Sequence, residues 1–311
     1  MAAFVIRRLF WTVPVVLLVI LLTFLMMRQI EGNPFRKTER AVPESIQRNL
    51  EAKFNLDDPW YVQYAYYVKG VFTFDLGPSL VLRNRDVNDI VREHFPRSIE
   101  LGLLALGFAI VFGVPLGILS ALKANTVFDY AAMFVSNVGF AVPSFLVATL
   151  FIYFFALEWR EIFHLPTSGW TTWKHKVLPS IALGLAPMAY FARLVRGTML
   201  ETLQQDYIRT ARAKGLRWRR VVVVHALRNS LIPAVTAAGP LLGFLITGSF
   251  IIEYIFAIPG IGKYYVDAVE ARDYSVVMGL TVLLSIIVIL ANLVVDILYG
   301  FLDPRTREAR T

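Results

Sequence analysis

Long apolar runs alternate with polar, mostly basic segments along this chain. The runs have the length and composition of membrane-spanning helices, and six can be traced, at residues 9–27, 101–122, 131–157, 177–192, 231–256 and 276–302. The first run is longer than the apolar core of a signal peptide, and no small-residue cleavage site follows it. The pattern predicts an all-α integral membrane protein with six transmembrane helices, the first one uncleaved.

Basic residues at both ends of the chain predict its orientation. Arg7 and Arg8 precede the first run, and three further arginines lie in the tail, residues 304–311. Because positively charged flanks stay on the cytoplasmic side, we expect both termini in the cytoplasm. The expected location is the cell (inner, or cytoplasmic) membrane.

A polar segment separates the first run from the other five. It contains two stretches with helical spacing of apolar residues, Pro43–Phe54 and Pro59–Gly70. The aromatic residues of the second stretch fit an interfacial belt, with a sugar- or peptide-binding platform as the alternative. We predict residues 1–97 to be the first helix plus an external segment, and residues 98–303 to be a five-helix core.

Composition limits the possible chemistry. Of the 311 residues, 57% are hydrophobic and 17% are charged; mean hydropathy is +0.58 and net charge is +8, with the basic residues placed beside apolar runs. This placement favours contact with anionic lipid over binding of nucleic acid. The chain has no cysteine, which excludes disulfides and thiol catalysis. No phosphate-binding loop or His-Glu-x-x-His motif is present, so we predict no catalytic residue and no metal site.

The longest basic segment lies between the fourth and fifth runs. Asp206 can cap a helix, and Gly215 suits the left-handed residue that ends one. A second helical stretch begins near Arg217. We predict a short exposed helix, a glycine turn and an elbow helix at a membrane surface, within a loop of about residues 198–229.

This loop resembles the signature loop of ABC-importer permeases. The residues are Asp206-Tyr-Ile-Arg-Thr-Ala-Arg-Ala-Lys-Gly215 and His225-Ala-Leu-Arg228. They depart from the general Glu-Ala-Ala pattern, since Arg209 and Thr210 replace its first two residues, and they are similar to the peptide and nickel branch. Phe74-Asp-Leu-Gly77 and Ile258-Pro-Gly-Ile-Gly262 also resemble segments of that branch, so the resemblance covers nearly the whole chain.

The resemblance implies a type I ABC importer permease fold, with a cytoplasmic coupling helix and an external segment after the first helix. It implies a second homologous permease subunit, two cytoplasmic ABC ATPase domains and an extracytoplasmic substrate-binding protein as partners. ATP and magnesium would bind to the ATPases, with no cofactor on this chain. The expected substrate is an oligopeptide or dipeptide, and nickel complexes or oligosaccharides remain open.

The resemblance also implies the residues that would couple this chain to the ATPases. Ala211 would be small for close docking, Gly215 would supply the turn, and the basic side chains would make polar contacts. The complete predicted set is Asp206, Tyr207, Arg209, Thr210, Ala211, Arg212, Ala213, Lys214 and Gly215.

Polar residues within the apolar runs are candidates for a translocation path. They are Ser136, Asn137 and Asn292, with hydrogen bonding between helices as the alternative. We expect Asp296 to pair with Arg193 or Arg196. A secondary transporter and a membrane-embedded enzyme are the rival classes. The first usually shows internal repeats and several intramembrane carboxylates; the second needs convergent acids, bases or nucleophiles. Neither pattern is found here.

Overall fold

The computed structural model describes residues 2–29, 58–82, 84–247 and 249–302. For residues 2–9, 28 and 295–302 it describes the backbone only. Within these ranges the chain is helical, and the one β contact is an isolated antiparallel bridge between Pro78 and Asp86. The helix predicted at Pro43–Phe54 and the predicted cytoplasmic tail, residues 304–311, lie outside the described residues.

We number the helices in chain order. They are α1 Ala2–Gln29, α2 Trp60–Phe72, α3 Val87–Leu122, α4 Val127–Ala141, α5 Ser144–Glu158, α6 Arg160–Phe163, α7 Trp173–Leu203, α8 Asp206–Ala213, α9 Trp218–Ser230, α10 Ile232–Thr247, α11 Phe250–Ile255, α12 Ile261–Ala271 and α13 Tyr274–Leu302. The hydrogen bonding of α5 becomes π-helical over Ile152–Glu158, and that of α9 over Val221–Ala226.

The number of spans agrees with the sequence prediction once two bent helix pairs are counted. Among the described residues, four helices are long and apolar enough to cross a membrane: α1, α3, α7 and α13. The pairs α4–α5 and α9–α10 bring the number to six if each pair is one span. The apolar run at 131–157 corresponds to α4 and α5, which meet at an angle of 101°. Pro143 lies at this break and cannot continue a helix, since it lacks a backbone N–H.

Two predicted helix boundaries also differ from the structure. Proline lacks a backbone N–H and often breaks a helix, so Pro179 and Pro187 favour a break in the run at 177–192. That expectation is wrong, because α7 continues through both residues to Leu203. Neighbouring helices stabilise prolines inside a span, and α7 is the most buried of the four long spans. Helix α3 begins at Val87, well before the predicted start at residue 101. The first turns of α3 are polar, so a search for apolar runs does not detect them.

The chain forms two compact units, which are described separately. The first comprises residues 1–98 and 259–290. Its apolar centre joins Val16 and Ile20 of α1 to Val282 of α13, with aromatic residues of α2 packed against them. Asp273 is the residue immediately before α13. Its carboxylate accepts hydrogen bonds from the Ser79 hydroxyl and from backbone N–H groups of the loop after α2.

The second unit comprises residues 99–258 and 291–311. Glycines four residues apart on a helix permit close approach of a neighbouring helix, so the sequence Gly113-Val-Pro-Leu-Gly117 predicts a close contact of α3. The structure confirms it, since both glycines lie against the backbone of α7. A Cβ atom at Gly117 would lie 2.5 Å from the carbonyl oxygen of Ala192, and one at Gly184 would lie 2.6 Å from that of Ala105. The backbones of α3 and α7 therefore touch, and α7 forms the centre of the unit that carries the predicted coupling loop.

Candidate functional site

The predicted coupling helix is present as α8, an eight-residue helix that follows α7 directly. Gln205 occupies the N-cap position, so the prediction that Asp206 caps the helix is wrong. Asp206 is instead the first helical residue, where a carboxylate still interacts favourably with the helix dipole. It lies 3.5 Å from the Arg209 guanidinium in an exposed ion pair.

The end of α8 is a Schellman motif built on Gly215. The N–H of Gly215 donates to the carbonyl of Arg212 (2.9 Å), and the N–H of Leu216 donates to the carbonyl of Ala211 (3.4 Å). Gly215 has a φ of +76°, the left-handed conformation that favours glycine. The predicted glycine turn is therefore confirmed.

The inner face of α8 rests on the chain itself. Ile208 and Ala211 are buried in a cluster with Met199 of α7 and residues of α9, including Val221 and Ala226. Close packing within this chain accounts for the small side chain of Ala211. Its predicted docking role toward a partner stays a prediction.

The outer face of α8 is exposed and basic. The Arg212 guanidinium lies 4.0 Å from the centre of the Trp218 ring, and the Tyr207 hydroxyl accepts a hydrogen bond of 2.9 Å from Asn229. The exposed basic residues of α8, the turn and the start of α9 are Arg209, Arg212, Lys214, Arg217, Arg219 and Arg220. This surface can accept an acidic or polar groove on a partner. Thr210 and Ala213 are exposed on it as well.

Two residues that orient this surface, Trp218 and Asn229, were missed by sequence reasoning. Trp218 lies beyond the glycine turn from Arg212, so no helical spacing relates the two residues. Asn229 lies on α9, 22 positions after Tyr207. Only the folded loop brings each pair together.

A buried ion pair fixes α7 ahead of the coupling loop. Arg196 donates from Nε and Nη2 to the two carboxylate oxygens of Asp129, each at 2.7 Å. The Ser120 hydroxyl and the Asn125 N–H donate to the same carboxylate, which is fully buried. Asp129 is thus a partner of Arg196. The expected pairing of Asp296 with Arg193 or Arg196 stays a prediction, because the Asp296 side chain lies outside the described residues.

The predicted path residues lie in different surroundings. Ser136 is buried, and its hydroxyl donates to the Ala132 carbonyl of its own helix at 2.8 Å. Asn137 is exposed and accepts a hydrogen bond of 3.3 Å from Arg193. Asn292 is half-buried on α13, and within the described residues no hydrogen bond joins it to the other two. Their role in a path stays a prediction.

Acidic and histidine side chains are scattered over the described part of the chain. No group of three or more His, Asp or Glu side chains within those residues could hold a metal ion. The expected lack of a metal site stays a prediction for the whole chain.

Family models match almost the whole chain. The model described as a binding-protein-dependent transport system inner membrane component matches residues 113–308. The model for the N-terminal part of such membrane components matches residues 1–101. Together they cover the whole first unit and most of the second.

Individual proteins are similar over the full length. The dipeptide transport system permease protein DppB of Bacillus subtilis strain 168 is 48% identical over 308 residues, which is 99% of this chain and 98% of that protein. The oligopeptide transport system permease protein OppB of Escherichia coli K12 is 42% identical over 311 residues, covering 99% of this chain and 100% of that protein.

Solved structures share the fold at low identity. The MetNI methionine ABC transporter in an inward-facing conformation matches with a TM-score of 0.57 and 20% identity, over 69% of this chain and 96% of that chain. An amino acid ABC transporter matches with a TM-score of 0.52 and 15% identity, over 70% and 94%. The fold is that of type I ABC importer permeases.

Proposed function

Because this chain belongs to the family of binding-protein-dependent transport system inner membrane components, we propose that it is the permease subunit of an ATP-driven importer of peptides. The observation that carries the proposal is the full-length identity of 48% to a dipeptide permease protein. Dipeptides and oligopeptides are both within the proposed substrate class, since relatives named for each cover the whole chain. The chain would not be an enzyme itself.

The partners follow from the same premise. A second, similar permease would complete the pathway, two cytoplasmic ATPase domains would bind ATP and magnesium, and an external binding protein would deliver the peptide. Both termini of this chain would lie in the cytoplasm. The apolar helices described above agree with a multi-pass membrane protein.

The geometry of α8 supports a coupling role. Its outer face carries exposed cations and an aromatic ring, and its inner face is buried against α7 and α9. A partner that moved α8 would therefore also displace the end of α7 and the start of α9. ATP-driven closure of the ATPases would switch the permease pair from an inward-facing to an outward-facing state by this route.

The first experiment is purification of the tagged chain with its native partners from membranes, followed by reconstitution in vesicles. We expect a second permease and one or two ATPase subunits to co-purify. With the binding protein added outside and ATP inside, the vesicles should accumulate a labelled dipeptide or tripeptide. Vesicles loaded with a non-hydrolysable ATP analogue provide the control.

The result distinguishes the substrate classes. Accumulation of labelled nickel complex or oligosaccharide, with no peptide accumulation, would replace the peptide assignment. Purification of the chain alone, with peptide uptake driven by an ion gradient in the absence of ATP, would overturn the importer.

A further inference from the structure

Two arginines one helical turn apart on α7 have different surroundings. Arg196 is neutralised by the buried carboxylate of Asp129. Arg193 instead donates one hydrogen bond to the amide oxygen of Asn137 (3.3 Å), and its guanidinium lies 4.2 Å from the centre of the Phe140 ring. In the part of the chain that the structure describes, no carboxylate lies within 4.0 Å of Arg193.

The position of Arg193 makes this arrangement unusual. It lies inside a candidate membrane span, ten residues before the end of α7 at Leu203, which corresponds to about 15 Å along a helix. A charged side chain inside a span is unfavourable against lipid tails and faces protein or a water-filled cavity. Arg193 is partly exposed on this chain, so we place it toward such a cavity.

The neighbouring face of α4 has the character of a path lining. Most of α4 is exposed, and four of its exposed residues, Tyr130, Phe134, Asn137 and Phe140, follow one helical stripe. The buried residues of α4 include Asp129 and Ser136. Asn137 is the one polar amide among the three aromatic residues of this stripe. Together with Phe140 it holds the Arg193 guanidinium in place without neutralising its charge.

We propose that Arg193, oriented by Asn137 and Phe140, binds carboxylate groups of the peptide as it crosses the membrane. The inference rests on the proposed peptide transport. Every unmodified peptide ends in a carboxylate, and many carry an acidic side chain as well. A guanidinium donates paired hydrogen bonds that match a carboxylate. A single cation binds weakly enough for the peptide to leave, which a transport pathway requires.

The test measures peptide selectivity in the reconstituted importer. Initial uptake rates of Ala-Glu-Ala and Ala-Gln-Ala are compared for the wild type, Arg193→Gln and Arg193→Lys, with Arg160→Gln as the matched exposed control. We expect the Glu-to-Gln rate ratio to fall severalfold in Arg193→Gln, to fall less in Arg193→Lys and to stay unchanged in Arg160→Gln. The same binding protein serves all variants, so its own selectivity cancels from the comparison.

A charge-rescue experiment covers the case in which Arg193→Gln does not assemble. The natural chain has no cysteine, so Arg193→Cys introduces a single reactive thiol into it. We expect modification with an ethylammonium methanethiosulfonate to restore the ratio, and modification with the ethylsulfonate reagent to lower it further. Both measurements use one preparation of the assembled complex, before and after the reagent. The same reagents on Ala189→Cys, a buried position of the same helix, control for other effects.

If the wild type takes up peptide, three outcomes overturn the inference. Equal Glu-to-Gln ratios in the wild type and in Arg193→Gln exclude a carboxylate site. Equal loss of both peptides points to a structural role. The third outcome is an effect of Arg193→Gln that does not depend on peptide charge. If this effect appears in vesicles containing phosphatidylglycerol and is absent in phosphatidylcholine alone, the arginine binds lipid phosphate instead. If the wild type takes up neither peptide, the proposed peptide transport is wrong, and so is the carboxylate-binding site proposed at Arg193.

Discussion

Arg196 and Asp129 are joined by two hydrogen bonds of 2.7 Å that connect α7 to the beginning of α4. Arg196 lies seven residues before the end of α7, and therefore just ahead of the predicted coupling loop. Two further donors, the Ser120 hydroxyl and the Asn125 N–H, complete the coordination of the carboxylate. Every one of these donors would lose its acceptor if Asp129 were removed.

Replacing Asp129 by alanine should therefore destabilise the protein. Removing one partner of a buried ion pair typically costs about 3–5 kcal/mol. Arg196 keeps 26% of its side chain exposed, so we expect a smaller loss, seen as a clear drop in the thermal unfolding midpoint of the purified complex in detergent. Glu93→Gln breaks the exposed pair with Arg85 and serves as the control, with a much smaller shift expected. Equal midpoints for Asp129→Ala and the wild type would contradict the structural role of the pair.

Gly215 and Gly197 form a matched pair for testing the turn after α8. A Cβ atom at either glycine would meet nothing within 4 Å, but only Gly215 has a positive φ, +76°. Alanine at Gly215 should destabilise the turn by about 1–2 kcal/mol, because a left-handed backbone disfavours a side chain. Gly197→Ala, within a helix, should be neutral or stabilising by up to about 1 kcal/mol.

The functional readout for the same turn is uptake measured beside ATP hydrolysis. We expect Gly215→Val to uncouple the two, because a β-branched residue at positive φ is strongly disfavoured. Peptide uptake should be lost in assembled complexes that still hydrolyse ATP, and Gly197→Ala should retain both activities. Full uptake by Gly215→Val would refute the docking role proposed for α8.

The contact between α3 and α7 should tolerate no side chain at Gly117. A Cβ atom there would lie 2.5 Å from the Ala192 carbonyl oxygen, so Gly117→Ala must push the two backbones apart. We expect a destabilisation of about 1–3 kcal/mol, measured as a lower thermal unfolding midpoint. Gly107→Ala on the same helix, where nothing lies within 4 Å, should have the midpoint of the wild type or a higher one.

Asp273 should control the order of the loop that follows α2. Its carboxylate accepts hydrogen bonds from the Ser79 hydroxyl and from the N–H groups of Leu80 (3.1 Å) and Val81 (3.3 Å). Asparagine offers one oxygen in place of two, so we expect faster hydrogen exchange over residues 79–82. Mass spectrometry of the exchanged peptides measures this change. Unchanged exchange in Asp273→Asn would refute it, and the exposed Asp267→Asn serves as the control.

Local chemistry predicted some features of this protein well. The spans at α1 and α13 follow from long, predominantly apolar runs, and the end of α8 follows from a glycine after basic helix-forming residues. The Gly113–Gly117 spacing predicted a close helix contact, which α7 provides. In each case the signal lies within a few neighbouring residues.

Other features depend on contacts between distant residues and left no local signal. Pro143 interrupts a helix whereas Pro179 and Pro187 do not, although all three lie in apolar surroundings. Pro14 also lies inside an unbroken helix, α1, so the residue type alone does not locate the break. Asp129 is 67 positions from Arg196, so the sequence could not show which carboxylate would neutralise that arginine. The same holds for Trp218, which meets Arg212 only after the chain has turned.

The short connections of α8 have a mechanical consequence. Two residues separate it from α7 and four separate it from α9, and its inner face is embedded in apolar side chains from both. The connections on either side of α8 are too short to absorb much movement, so α8 moves together with the helices next to it. Displacement of α8 by a few ångströms would be passed to both flanking helices together, with little lost in bending the loop.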